Sequence, residues 1–206
     1  MNFEERDEKI WNFHDGSKVW FTSDTHFGHE NIIGYCSRPF VNVHEMNEAL
    51  INNWNSVVNP DDTVFHLGDF AIGGSQLWNE TLNRLNGDII LVQGNHDRKN
   101  LRQGYIKRFL NISPKLHIVV EGQSICLNHE PLLCYAGWEK RMWQLFGHVH
   151  SGPKSTSSDL PRLQHLLPTQ YDVGVDNNDY YPISFNEVKL KIEKQLELWM
   201  NSKKNE

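Results

Sequence analysis

The sequence predicts an α/β fold. In its first half, strand-like and helix-like runs alternate, which suggests parallel strand pairing. The second half is rich in short strand-like runs. Polar, metal-capable residues follow directly on those runs, and functional groups of open α/β sheets collect beyond the carboxyl ends of the strands. The 206 residues fit one domain, residues 1–206.

Residues 19–23 (Val-Trp-Phe-Thr-Ser) read as a strand ending at Asp24. Residues 42–58 read as a helix, because Val43, Met46, Leu50, Trp54 and Val57 keep helical spacing. Asn42 with Glu45 three residues later has the form of a capping box, and Asn59-Pro60-Asp61-Asp62 forces a turn. Residues 63–67 are the next strand, 76–85 a helix, Asn86-Gly87 a turn and 89–92 a strand. Glu121-Gly122-Gln123 joins strands 116–120 and 124–127 as a hairpin. Strands 143–146 and 171–175 follow. The last element is a helix over 184–200, with Ser184 and Glu187 as a second capping pair. Residues 151–168, rich in Ser and Pro, form a surface loop placed to cover a site or stay irregular.

Composition narrows the class. An apolar share of 38% suits a soluble globular chain. No apolar run is long enough to span a bilayer. Residues 1–9 are acidic and lack the basic and apolar parts of a secretory signal, so the cytoplasm is the expected location. Cys36, Cys126 and Cys134 form no CxxC pair and read as reduced, mostly buried thiols. The formal charge of −6 argues against broad nucleic-acid binding.

Five short motifs carry the chemistry: Asp24-Thr25-His26, Gly68-Asp69, Gly94-Asn95-His96-Asp97, Asn128-His129 and Gly147-His148-Val149-His150. Residues two apart on a strand share a face, so Asp24 with His26, and His148 with His150, are expected to converge. Gly68, Gly94 and Gly147 permit tight turns and close backbone approach. The set supplies donors for two adjacent divalent cations plus one proton-transfer group. Carboxylate and imidazole donors without thiolate suit manganese, iron, zinc or nickel, with manganese the first expectation.

In this order the motifs resemble the calcineurin-like metallophosphoesterases, from Trp20 to about Phe185. The resemblance implies two mixed β-sheets packed as a sandwich flanked by helices, in four α/β/β/α layers. It implies that Asp24, His26, Asp69 and His150 hold one metal. Asp69 would bridge to a second, completed by Asn95, His129 and His148. His96 would stand beside the substrate phosphate, and Asp97 would hold the loop or orient His96. The implied reaction is attack on a phosphodiester or phosphomonoester by a hydroxide shared between the metals.

Around this set, His29, Arg38 and Arg98 are candidate substrate-binding residues. Arg38 could fork onto a phosphate or pair with a surface carboxylate. Tyr35, Trp138 and Tyr180 could stack on a flat group, Asp176 could steady the last motif, and His66 reads as packed beneath the site. His14, His44, His117 and His165 show no ligand spacing. The expected partner is a small phosphate ester, with a nucleotide among the candidates, and neither a membrane nor long nucleic acid. Phe70-Ala71-Ile72 after Gly68-Asp69 is similar to the bacterial-type branch rather than to protein phosphatases. The rival expectations are a non-catalytic metal-binding scaffold of the same fold and a nuclease acting on nucleic-acid ends.

Overall fold

Strand β3 (Thr63–His66) and strand β4 (Asp88–Val92) show how alternation divides the chain between two faces. Phe65, Ile90 and Val92 enter one apolar cluster, while Val64, Ile89 and Leu91 enter another. The coordinates are a computed structural model describing residues 11–204 except 103, 105 and 107. The acidic segment 1–9 lies outside the described residues.

Among the described residues there are two five-stranded mixed sheets. One has the order β10 (Ile183–Ser184), β2 (Val19–Thr22), β3, β4 and β5 (Asn111–Ser113). Its strands β2 to β5 are parallel, and β10 runs antiparallel to β2. The other has the order β1 (Trp11–Phe13), β6 (Lys115–Val120), β7 (Gln123–Asn128), β8 (Trp143–Phe146) and β9 (Gln170–Asp172). There β6 and β7 form the antiparallel hairpin, and β7, β8 and β9 are parallel.

The sheets pack face to face over Phe21, Phe65, Ile118, Ile125, Leu127 and Leu145, all fully buried. The C-terminal helix α6 (Phe185–Lys203) adds Val188 and Ile192 to this core. On the outer face of the first sheet, helix α2 (Val43–Val57) contributes Met46, Leu50 and Trp54, and helix α3 (Ser75–Leu82) contributes Trp78 and Leu82. Helix flanks on a two-sheet sandwich are therefore the architecture of this chain.

Both expected caps form, with one difference. The Ser184 and Glu187 box is reciprocal. Asn42 accepts the Glu45 N–H at 2.9 Å, but the Glu45 carboxylate takes the N–H of Val41, not that of Asn42. The strand expected over 171–175 stops at Asp172 and turns into a single 3-10 turn, Val175–Asn177. Helix α1 (Glu30–Tyr35), helix α4 (Arg98–Leu101) and the short strands β1, β5 and β10 lie where no periodic signal was read. A two- or three-residue strand shows too little alternation to be legible alone. The 151–168 segment is not wholly irregular, since helix α5 (Leu160–Leu163) sits within it. Of the cysteines only Cys126 is buried, whereas Cys36 is half-buried and Cys134 exposed. No helix among the described residues is long and apolar enough to cross a membrane.

The Phe65 ring is fully buried, edge-on to Phe13 at 5.7 Å and stacked on Phe21 at 5.8 Å. Phe65→Ala removes it from the centre of the sandwich. The expected loss is about 3–5 kcal/mol, read as a lower urea midpoint at unchanged slope.

Candidate metal centre

Parallel strands deliver their carboxyl ends to one edge, and both sheets do so here. Asp24 lies past β2, Asp69 past β3, and Asn95 with His96 past β4. His129 follows β7, and His148 and His150 follow β8. Loops from the two sheets are tied together at this edge. The His148 N–H donates to Asp24 Oδ2 at 2.8 Å and the Val175 N–H to the Ser23 carbonyl at 3.0 Å, while within the second sheet the Gly147 N–H donates to the His129 carbonyl at 2.9 Å.

Convergence is not achieved by strand alternation, contrary to expectation. Asp24, His26, Asp69, His148 and His150 all lie beyond the strands with left-handed backbone, at φ of 57°, 52°, 56°, 70° and 48°. Such positions are strained for side-chain-bearing residues by about 1–3 kcal/mol each and concentrate at functional sites. Glycines make the space. A Cβ on Gly94 would strike the Asp69 backbone nitrogen and carboxylate, and one on Gly147 would strike Ser23 and Asp24.

Two groups of donors result, each with its atoms within 4.8 Å of one another. The first is Asp24, His26 and His150, and the second is Asp69, His129 and His148. Asp69 Oδ2 stands between them, 3.7 Å from His26 Nε2 and 3.5 Å from His129 Nε2. Asn95 Oδ1 is 3.0 Å from His129 Nε2 and 3.1 Å from His148 Nδ1. Asp24 Oδ1 and His26 Nε2 are buried without a hydrogen-bond partner. Lone pairs in that state are costly unless something accepts them, and a cation does. The donor set fits divalent metal ions.

A model of the calcineurin-like phosphoesterases matches residues 17–199. The chain belongs to that family. It is 34% identical over 182 residues to an uncharacterized protein of Methanocaldococcus jannaschii, covering 86% of this chain and 92% of that one. It is 37% identical over 188 residues to the Gene 66 protein of Mycobacterium phage L5, covering 78% of this chain and 87% of the phage protein. A crystal structure of a protein of unknown function from Aquifex aeolicus superposes with a TM-score of 0.63 at 30% identity, covering 83% of this chain and 97% of that one.

Polar contacts fix the orientation of the donors in this family member. His129 Nδ1 faces the Leu67 carbonyl at 2.7 Å, which leaves Nε2 for the centre. His150 Nδ1 faces Asp176 at 2.7 Å in the same way. Burial works against protonation of both imidazoles. Asp69 and Asp24 outweigh it for His129, and Asp176 and Cys36 for His150, so their pKa values are pushed up to about 9 and about 11. Burial holds His26 well below the ordinary histidine range. Asp69 is held far below the usual carboxylate range, since the His129 hydrogen bond and His26 overcome its burial.

Arg38 does not face substrate. Its guanidinium is buried and fully engaged, with Nε and Nη2 on Asp176 at 2.9 Å, Nη1 on the Thr25 carbonyl and Nη2 on the Asp24 carbonyl. Its partner is a buried carboxylate, not a surface one. Asp97 touches no open space either. It is fully buried and accepts the N–H groups of Asp69, Phe70 and Gly94 at 2.8–2.9 Å, so it holds the loop. Burial pushes its pKa up to about 6.

His29 and His96 do face open space, lining a cavity of about 460 Å³ with His26, His150 and Tyr35. Arg98 is exposed at the start of α4 and is not among the lining residues. Tyr35 is edge-on to His29, whereas Tyr180 packs against Phe40 and Trp138 is not among the lining residues. His66 lies beneath the site, its Nε2 2.9 Å from the Thr25 hydroxyl and its pKa lowered to about 3 by burial.

Sequence reading missed two participants. Asp172 accepts from Ser151 and from the Gly174 N–H and so shapes the loop after His150. Cys36 lies with His150 and Asp176 in a third group of metal-capable atoms. Neither stands in a motif with ligand spacing, although Asp172 ends a strand as the ligands do.

Gly94→Ala is expected to displace the Asp69 carboxylate and deplete bound metal in elemental analysis. Circular dichroism should show the fold retained. Metal loading should release protons near pH 7, because His129 and His150 must give theirs up. Calorimetry in two buffers of different ionisation enthalpy measures that release, and apparent metal affinity should rise between pH 6 and pH 8.

Proposed function

We propose that this chain is a two-metal phosphoesterase hydrolysing a small phosphodiester or phosphomonoester. The observation that carries the reading is the position of Asp69 Oδ2, which faces one imidazole from each donor group and also lies 3.9 Å from His96 Nε2. A carboxylate shared by two cations, with one further histidine at its side, suits phosphoryl transfer to water.

Asp24, His26, Asp69 and His150 would hold one cation, and Asp69, Asn95, His129 and His148 the other. Manganese is the first candidate for this donor set. Bound cations would supply Lewis acidity for the phosphoryl oxygens and would acidify a water molecule. The chain's own residues do the rest. His96 is 47% exposed, points into the cavity and has its backbone N–H anchored on Asp69 Oδ1 at 2.9 Å. From there its ring donates to a phosphoryl oxygen and gives a proton to the departing ester oxygen. The water oxygen joins phosphorus and gives up one proton to solvent, the P–O ester bond breaks, and the alcohol leaves with the proton from His96. His29 lines the same cavity and touches the outer part of the substrate. The cavity's size suits a small organic phosphate, and a formal charge of −6 disfavours long nucleic acid.

The test is hydrolysis of bis-p-nitrophenyl phosphate and p-nitrophenyl phosphate by metal-stripped protein with manganese, nickel, zinc or magnesium restored. His96→Ala should lower turnover by about 100- to 10,000-fold while keeping its metals. Asp69→Asn should lose metal. If His96→Ala lost metal as severely as Asp69→Asn, the role given to His96 would be wrong. No hydrolysis with any metal by a fully loaded protein would instead support the scaffold reading.

A further inference from the structure

A second cavity, of about 500 Å³, borders the candidate centre. His148, which belongs to the second donor group, lines it. Most of its remaining wall is apolar, from Pro131, Leu133, Val149, Leu163 and Leu166, and Glu130 stands at its edge. Leu133 is 74% exposed, a large apolar side chain left uncovered beside a polar centre. The segment after His150 builds both cavities. Its residues 155–158 wall the one containing His96, and Asp159, Leu163 and Leu166 wall this one. The two spaces thus adjoin different donors, one His26 and His150 and the other His148, along one stretch of chain.

A phosphomonoester carries one organic group and has no use for the second space. A phosphodiester carries two, projecting to either side of phosphorus. We propose that the cavity beside His148 seats the second organic arm of a phosphodiester, and that this arm is an aromatic ring. The apolar side chains take its faces. The imidazoles of His148 and His165 lie at the wall for offset stacking. Arg162 is paired with Asp159 at 2.9 Å and stays mostly in solvent, so the seat itself holds no free charge from that pair. The inference rests on the phosphoesterase reading and narrows its substrate to an aromatic diester.

Binding and hydrolysis separate the two claims. Calorimetry of the manganese-loaded protein compares diphenyl phosphate with dimethyl phosphate, in the wild type and in Leu133→Asp. The Leu133 side chain is exposed, so the variant is expected to fold, and its metal content is checked first. Diphenyl phosphate should bind the wild type about tenfold more tightly than dimethyl phosphate, as one buried ring allows. Leu133→Asp should bring the two within about twofold while leaving dimethyl phosphate unchanged. Leu163→Asp, elsewhere in the same lining, should do the same. Equal binding of both diesters by the wild type, or a preference that survives both substitutions, overturns the proposal. Hydrolysis of methyl p-nitrophenyl phosphate reports on the phosphoesterase reading independently. A ring preference lost in Leu133→Asp without any hydrolysis would keep the seat and remove the activity.

Discussion

The buried carboxylate of Asp97 holds the centre together. It accepts N–H groups from the turn after β3, at Asp69 and Phe70, and from the turn after β4, at Gly94. One side chain thereby locks two adjacent strand ends in register, and the shared carboxylate of Asp69 takes its place from that lock. Three backbone donors compensate for burying the acid. Without them the loops would be free to separate, and the donors on each would face solvent instead of one another.

A second clamp acts from below. Arg38 binds both oxygens of Asp176 and the carbonyls of Asp24 and Thr25. Asp176 in turn orients His150. A residue after α1, a turn after β9 and the loops after β2 and β8 are thus coupled through one guanidinium. Removing either partner would leave a buried charge uncompensated, the expensive half of such a pair.

Much of this was legible in the chain. The ordered motifs name residues that the structure gathers at one edge, because the set as a whole is specific even though an Asp or His at one strand end is not. Residues 42–58 and 184–200 read as helices because their caps and periodicity agree. What failed to show had local causes. Arg38 carries no local sign that it is buried, since its partner Asp176 is 138 residues away. Strands β1 and β5 take their extended form from neighbours in the sheet, not from their own pattern. The expected alternation at Asp24 and His26 fails because the strand ends first. Their side chains converge through backbone turns that hydrophobic periodicity does not encode.

Those left-handed turns have a consequence for how such a centre can be altered or moved. Asp, Asn and His are the side-chain-bearing residues that best tolerate positive φ, and they are also good cation donors. Backbone and metal therefore draw from the same narrow alphabet at Asp24, His26, Asp69, His148 and His150. Exchanges within that alphabet preserve the path of the chain even when they change the charge. A β-branched or bulky residue disturbs both at once. A host scaffold receiving this centre by grafting would need five kinked positions in the right places before the identity of any ligand mattered.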